Sequence, residues 1–326
     1  MSHSPDVQRV DLVDAAMLRE LWRGGSLGMV RHDPRLSVNA LSRAIGLDRS
    51  SVRDRLQRWR DEGFIARFHA VPNPSLFGYI VTGSGIRVDD PRQKEAARKA
   101  LDQTEESFAI IDHAGPWIGV ASICSSMMHA RTVKSIYARL PGVDEATPLF
   151  HSAWPQCQLA LTALDWRLIQ AIHHDPEGSL QVIAADLHVN ASTVTRRYDR
   201  LVKGSALMVT PDLDFTNYTN AALMRLLIHM EQDSDPAAIA RAFRARPETI
   251  VAYSLNPEGG APFIDVYAHL SSPGMAGRIE LEARSLDGVT ETEVLWPRDH
   301  RVSPDVLDAH LKRALAASQK AATRTP

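Results

Sequence analysis

The chain has 326 residues, 44% hydrophobic and 23% charged, which is typical of globular proteins and long enough for two or more domains. A formal charge of -2 excludes a surface that is basic throughout, so any nucleic-acid-binding face must be local. The sequence has no apolar run of membrane-spanning length and no secretory signal pattern, and two cysteines are too few for a four-cysteine zinc site. We therefore expect a cytoplasmic protein with reduced thiols, no metal and no cofactor.

Residues 1–77 have the pattern of a winged helix-turn-helix domain. Asp48 suits the N-cap of the third helix, and Gly63 suits its end. Within that helix Val52 and Trp59 share one face and are expected to be buried. The stretch FIARFHAVPNPSLFGY then predicts a short β-ribbon that would form the wing. The predicted helices are 11–23, 37–46 and 49–62.

Residues 78–157 alternate between strand and helix patterns in the order βαββαβ. That order is the ferredoxin-like split βαβ arrangement. The predicted strands are 79–88, 107–112, 117–123 and 143–151, and the predicted helices are 91–101 and 128–140.

Residues 158–219 again have the pattern of a winged helix-turn-helix. Thr162 with Asp165 fits a capping box, while Ser179 and Asn190 suit the N-caps of the next two helices. Residues 220–300 predict a second ferredoxin-like domain, and 301–326 predict a C-terminal helix and tail. In that domain the predicted strands are 223–230, 249–255, 263–270 and 291–295, and the predicted helices are 236–244 and one that runs through Arg278. The predicted fold is therefore α+β, with two winged helix-turn-helix domains alternating with two ferredoxin-like (βαββαβ) domains.

The two helix-turn-helix segments align without gaps at an offset of 142 residues, which indicates an internal repeat. His32-Asp33-Pro34 falls on His174-Asp175-Pro176 in the same register, and His188 replaces the turn glycine, Gly46. Further aligned pairs are Asp48 with Asn190, Ser50 with Ser192, Ser51 with Thr193, Val52 with Val194, Arg55 with Arg197 and Arg58 with Arg200.

The third helix of each segment is expected to enter a major groove of DNA. Arg53 and Arg196 are candidates for reading guanine, because arginine can donate two hydrogen bonds to that base, and Gln57 could read adenine. The alternative is that these polar residues merely solvate an exposed helix face. The other candidates are Thr195 at the groove, Arg49, Arg58, Arg197 and Arg200 at phosphates, and Ser50, Ser51, Ser192 and Thr193 in the first helical turns.

This plan resembles the Lrp/AsnC family of prokaryotic transcriptional regulators. The resemblance is carried by Asp14, by the helix-turn-helix through Trp59 and by EGFIARFHAVPNPSLFGY. It implies double-stranded DNA as a partner, homo-oligomerisation through the ferredoxin-like domains and a small effector such as an amino acid. Family members usually carry one such unit, so two units in one chain imply an intramolecular pseudo-dimer with its two sheets packed face to face. Because the two helices differ, we expect an asymmetric operator.

The same resemblance places the effector near the turn between the middle strands of each ferredoxin-like domain. Gly115 and Trp117 match that turn in the first domain, and Gly259 and Gly260 match it in the second. The alternative is a plain hairpin turn, in which glycine is common.

An enzymatic alternative comes from sirohaem decarboxylases, which resemble the same two-domain plan and work as pairs of related subunits. His113, Trp117 and Arg131 would then lie near a tetrapyrrole. The sequence offers no paired carboxylates or Ser-His-Asp order that would support hydrolysis. A regulator without enzymatic activity is therefore the first expectation, and the decarboxylase is the alternative.

Overall fold

A computed structural model of the chain describes residues 5–21, 38–147, 149–151, 156–218, 221–255 and 257–322. Two predicted features lie outside these residues: Ser37 as the N-cap of the second helix, and His32-Asp33-Pro34 as part of the repeat. The described part of the first helix-turn-helix segment, residues 5–21 and 38–72, contains three α-helices and a strand. They are α1 (Pro5–Leu21), α2 (Val38–Ile45), α3 (Arg49–Asp61) and β1 (Ile65–Pro72).

The next segment forms the first part of a large sheet, covered on one face by two helices. The fourth strand predicted here is instead two short pieces, both paired with β2, and between them the Thr147 hydroxyl accepts a hydrogen bond from the Gly85 amide at 2.7 Å. The elements are β2 (Ile80–Arg87), α4 (Pro91–Asp102), β3 (Ser107–Ala114), β4 (Trp117–Cys124), α5 (Met127–Tyr137), β5 (Glu145–Ala146) and β6 (Phe150–His151).

The second helix-turn-helix segment begins with the predicted capping box, in which Thr162 and Asp165 exchange hydrogen bonds. Ser179 caps the following helix as expected. Asn190 occupies the next N-cap, but its side chain makes no capping hydrogen bond. The elements are α6 (Ala163–His174), α7 (Leu180–Asp186), α8 (Ala191–Lys203) and β7 (Leu207–Asp214).

The last segment completes the sheet and ends in a helix. Its final strand is longer than the predicted piece, and its second helix continues past Arg278 to Arg284. The elements are β8 (Ala222–Met230), α9 (Pro236–Arg244), β9 (Thr249–Leu255), β10 (Phe263–Leu270), α10 (Pro273–Arg284), β11 (Val289–Val302) and α11 (Asp308–Ala322).

Strand β11 joins the two parts of the sheet, whose order is β5-β2-β4-β3-β11-β8-β10-β9. Its first half, up to Leu295, pairs with β8, and its second half, from Trp296, pairs with β3. The strand passes the predicted domain boundary at residue 300. Two segments far apart in sequence therefore share one hydrogen-bonded sheet.

Strand β1 pairs antiparallel with β7 from Ile65 opposite Leu213 to Pro72 opposite Leu207. The prediction of a local wing ribbon was wrong in this respect, because the partner of β1 lies in the second helix-turn-helix segment. Both strands carry buried apolar side chains, among them Ala70, Val71, Leu207 and Val209. Trp59 reinforces the junction, lying edge-on to Phe64 at 5.4 Å and to Tyr218 at 6.3 Å between ring centroids.

Candidate DNA-binding surface and inter-sheet cavity

Helix α3 begins at a well-formed cap. The Asp48 side chain accepts the Ser51 backbone N–H at 2.9 Å and the Ser51 hydroxyl at 2.6 Å, and the Ser50 hydroxyl donates to the same carboxylate at 2.5 Å. These hydrogen bonds hold the pKa of Asp48 well below its ordinary value. The two serine hydroxyls predicted to meet phosphates are thus engaged within the cap in the protein alone.

Helix α3 is anchored to α1 by a buried carboxylate. Asp14 accepts from Arg55 Nη1 at 2.5 Å and from Arg58 Nη2 at 3.0 Å, and we call these three residues the first aspartate cluster. Burial raises the pKa of Asp14, and the two guanidinium groups only partly offset that effect. The cluster fixes the angle at which α3 leaves the helical core.

The second segment contains the same arrangement, which we call the second aspartate cluster. Asp165 accepts from Arg197 Nη1 at 2.8 Å and from Arg200 Nη2 at 2.6 Å, and its own side chain is fully buried. Burial raises the pKa of Asp165, but hydrogen bonds from Thr162 and the two arginines outweigh it, so the pKa is lowered.

Three of the four arginines predicted to contact phosphates therefore make an ion pair inside the protein. Arg58 and Arg200 remain 36% and 41% exposed, so each could still reach a phosphate, whereas Arg197 is 27% exposed. The alignment of Arg55 with Arg197, and the presence of an aspartate in each first helix, were the sequence signals for these clusters. Sequence reasoning alone did not connect them.

The outer face of α3 presents the remaining predicted side chains. Arg49, Arg53 and Gln57 are exposed, and Gln57 donates to Asp61 at 2.8 Å. On α8 the exposed residues include Arg196, and Thr195 donates back to the Ala191 carbonyl at 3.0 Å. Within the described residues Arg49, Arg53 and Arg196 make no ion pair. The remaining predicted residues, Ser192 and Thr193, lie in the first turn of α8, exposed and half-buried respectively.

The turns before α3 and α8 use the same left-handed backbone with different residues. Gly46 has φ of 72°, and its counterpart His188 has φ of 57°. After each helix the left-handed residue is Gly63 in one segment and Ser205 in the other, with φ of 76° and 57°. A side chain in this region costs free energy that glycine avoids, so the second segment is the more strained.

The two parts of the sheet face each other across a cavity of about 310 Å³, which we call the inter-sheet cavity. Side chains alternate along each strand, so one set packs against the covering helices while the other lines the cavity. Ile86 and Ile110 belong to the core beneath α4 and α5, and Leu226 and Ile228 belong to the core beneath α9 and α10. The cavity-lining set includes Ile111, His113, Gly119, Arg225, Leu227 and His229.

One end of the inter-sheet cavity is polar. Arg225 donates from Nε and Nη2 to the two Asp265 oxygens at 2.9 and 2.8 Å, and from Nη1 to His113 Nε2 at 3.2 Å. His113 must accept at Nε2, so its imidazole is neutral. Burial, with further contributions from Arg225 and Lys94, lowers the pKa of His113 well below its ordinary value.

The predicted effector residues do not meet at one place. Trp117 lines the inter-sheet cavity. Gly115 lies at a hairpin turn with φ of 86°, and its carbonyl accepts from Lys94 Nζ at 2.7 Å. Gly259 and Gly260 belong to a turn beside the cavity lining, where Gly259 has φ of 70°. Arg131, from the enzymatic alternative, pairs with Glu258 at 3.1 Å on the surface.

Arg225 and Asp265 were missed at the sequence level. Each interrupts an apolar strand, in LMRLLIHM and FIDVYAHL, and a charge in such a strand requires a buried partner. That interruption was the available signal. Its meaning depends on the register that places Tyr267 opposite Arg225 and Asp265 opposite Leu227.

The cysteines are unpaired, as expected. Cys124 is buried, and that burial raises the pKa of its thiol to about 11, while Cys157 is half-buried. Among the described residues there is no cluster of three metal-ligating side chains. In the same part of the chain, no helix combines the length and apolarity needed to cross a membrane.

A family model described as winged helix-turn-helix DNA-binding matches residues 27–66, which include α2 and α3. The chain is 36% identical over 90 residues to the proline dehydrogenase transcriptional activator of Rhizobium radiobacter, covering 26% of this chain and 58% of that protein. It is 31% identical over 78 residues to the HTH-type transcriptional regulator FL11 of Pyrococcus furiosus, covering 24% and 52%. The chain thus spans about half the length of these curated relatives, both of which are named as transcriptional regulators.

A structural comparison extends over nearly the whole chain. The siroheme decarboxylase NirDL aligns with a TM-score of 0.50 and 11% identity, covering 94% of this chain and 99% of that one. At this identity the likeness concerns the fold alone. The mixed helix and sheet architecture is therefore shared with a known protein along almost its full length.

Proposed function

We propose that this protein is a sequence-specific DNA-binding transcriptional regulator related to the Lrp/AsnC type. The observation that carries the proposal is the outer face of α3, where Arg49 and Arg53 are exposed and without an ion pair in the described residues. The helix beneath them is held by the Asp48 cap and the first aspartate cluster. A fixed helix with exposed arginines suits entry into a major groove.

We further propose that the chain is a pseudo-dimer of two winged helix-turn-helix plus ferredoxin-like units. The recurrence of the aspartate cluster, with Arg55 and Arg58 matched by Arg197 and Arg200, supports a common origin. The β1–β7 pairing supports a fixed spacing between the two recognition helices. Differences between Arg53 and Thr195, and between Gln57 and Asp199, favour an asymmetric operator.

A small effector, such as an amino acid, and further assembly through the ferredoxin-like sheets are part of the same proposal. The inter-sheet cavity, which Trp117 lines, supports a small effector, whereas the amino-acid class rests on the family resemblance alone.

Selection of bound genomic DNA tests the proposal with the full chain and its Arg53→Ala and Arg196→Ala variants. Losing one bidentate guanine contact should cost about 1–3 kcal/mol and relax preference at one base position. Arg139→Ala, an exposed substitution after α5, is the matched control and should bind like the unaltered protein. Unchanged affinity and preference in both test variants would refute the groove assignment, and an effect of Arg53→Ala alone would make α8 a packing element.

A second candidate function is that of a sirohaem-decarboxylase-like enzyme, favoured by the whole-chain fold likeness to NirDL. His113 lines the inter-sheet cavity, where a substrate would lie. Absorbance titration of the purified protein with iron uroporphyrin III tests this candidate. A saturable spectral change that Arg225→Ala abolishes, without any DNA shift, would favour the enzyme over the regulator.

A further inference from the structure

Three glycines lie in the strands that line the inter-sheet cavity, and neighbouring atoms explain only two of them. Gly83, Gly85 and Gly119 all lie within strands, where glycine weakens the strand and often marks a close approach. A Cβ at Gly83 would lie 2.1 Å from the Phe150 ring, and one at Gly85 would lie 3.2 Å from the Thr147 hydroxyl. Neighbouring atoms thus account for these two glycines.

Gly119 differs, because a Cβ there would meet only ordinary contacts. The nearest atoms would be Arg225 Nη1 at 3.5 Å, His113 Cε1 at 3.7 Å and Ile111 Cβ at 3.8 Å. Its φ lies outside the left-handed region that would demand glycine. The missing side chain therefore keeps open the polar end of the cavity, next to Arg225 and His113.

Apart from Glu293, the groups at the polar end are balanced in charge. Both Asp265 oxygens accept from the Arg225 guanidinium, and His113 is neutral. Glu293 adds a carboxylate to the cavity wall. A ligand carboxylate would have to be desolvated beside two carboxylates and one already paired cation, which is costly. An uncharged group that forms hydrogen bonds there avoids the cost of burying a charge.

The rest of the cavity suits a flat apolar body. Trp117, Phe150, Phe263 and His229 contribute ring surfaces, and His229 stacks on Phe263 with centroids 5.8 Å apart. Along β8 the distance from Arg225 to His229 is four residues, or about 13 Å. The volume of about 310 Å³ lies at the lower end of small-molecule sites, roughly twice a cavity that holds benzene.

We propose that the inter-sheet cavity binds an uncharged aromatic molecule with one hydrogen-bonding head group, such as an amide, held next to Gly119. Binding itself is independent of DNA, while its role as an effector site rests on the proposed regulatory function. Strand β11 supplies the connection. It contributes Glu293 and Leu295 to the cavity and then pairs with β7, which pairs with β1 between the two helix-turn-helix segments.

Three indoles of one shape and different charge test the ligand class by calorimetry on the full chain without DNA. Indole-3-acetamide is neutral, indole-3-acetate is an anion and tryptamine is a cation. The amide should bind at least about tenfold more tightly than the acetate, which loses its charge solvation beside Asp265 and Glu293. It should also bind more tightly than tryptamine, because the half-buried Glu293 offsets only part of the solvation that the ammonium group loses. Absence of amide binding, or tighter binding of either ion, would overturn the proposal.

Gly119→Ala tests the location. The added methyl group should weaken amide binding about tenfold while leaving the unfolding temperature near that of the unaltered protein, since its contacts are of ordinary length. Gly277→Ala, in α10 with no atom within 4 Å of its added Cβ, is the matched control and should bind normally. Equal amide binding by all three proteins would overturn this location. The ligand class is tested separately, because the three indoles are compared on the unaltered chain.

DNA-shift measurements with and without the amide separate the two proposals. If the chain binds the amide but not DNA, the proposed ligand site stands and the proposed regulatory function is refuted. If the chain binds DNA but none of the indoles, the proposed regulatory function stands and the proposed ligand site is refuted. Saturable amide binding that leaves DNA affinity unchanged would remove the effector role.

Discussion

The two helix-turn-helix segments share their internal anchoring and differ at the surface and in the turns. Each has a buried aspartate that receives two arginines from its recognition helix. In contrast, Asp48 and Gly46 are matched by Asn190, whose side chain makes no capping bond, and by His188 with a left-handed backbone. The two aspartate clusters set the angle of the recognition helix, and both segments retain them. The cap and turn residues face outward, and they differ between the segments. Folding of a helix-turn-helix therefore depends more on the buried clusters than on the cap and turn residues.

The largest effect is expected from the two aspartate clusters. Asp165→Asn should lower the free energy of unfolding by about 2 kcal/mol, because its buried carboxylate holds two partly exposed arginines. Asp14→Asn should cost less than about 1 kcal/mol, because burial of Asp14 already opposes its charge. Urea unfolding at pH 7 measures both, and equal losses would contradict the distinction.

The stability of the same variants as a function of pH tests the opposite pKa shifts of the two aspartates. The pKa of Asp165 is lowered from 3.8, so its stabilisation is present above that pH and is lost as the pH falls further. The pKa of Asp14 is raised from 3.8, so the unaltered chain should gain stability relative to Asp14→Asn as the pH falls through that raised value. Parallel pH profiles for the two variants would contradict this reasoning.

An intermediate effect is expected at the turns. Gly46→Ala should destabilise by about 1 kcal/mol, because alanine is disfavoured at φ of 72° although no atom lies within 4 Å of its Cβ. His188→Gly should stabilise by about 0.5 kcal/mol, since part of the relieved strain is offset by the freer unfolded chain. Gly277→Ala, in a helix, is the control and should not destabilise. Urea midpoints that move in the same direction for both turn variants would show that the left-handed backbone is not the cause.

Local features of this fold could be predicted from the sequence because their causes are local. The caps at Asp48, Thr162 and Ser179 depend on one side chain and the next few backbone groups, and each is present. Strands β9 and β10 follow from short β-branched and aromatic runs between turn residues.

Pairings between distant segments could not be predicted in the same way. The residues of β1 do not indicate that it pairs with β7. Those of β11 do not indicate that its first half pairs with β8 and its second half with β3. The inter-sheet cavity depends on these pairings, so the meeting of His113 with Arg225 was beyond local patterns. Trp117 was selected for its turn and lies at the cavity because β4 follows that turn.

The smallest effect is expected at the cap of α8. Asn190→Asp should stabilise by a few tenths of a kcal/mol, because a carboxylate there can accept from the first-turn N–H groups and from Ser192 and Thr193, as Asp48 does from Ser50 and Ser51. The gain should be present at pH 7 and disappear as the pH falls below the ordinary aspartate pKa, which is the sign required of a carboxyl whose pKa is lowered on folding. Asn190→Ala, measured by the same urea unfolding, is the control and should not stabilise at any pH. A stabilisation of Asn190→Asp that persists at pH 2 would show that its origin is not the cap, and the contrast between the two recognition helices would then lie in their turns alone.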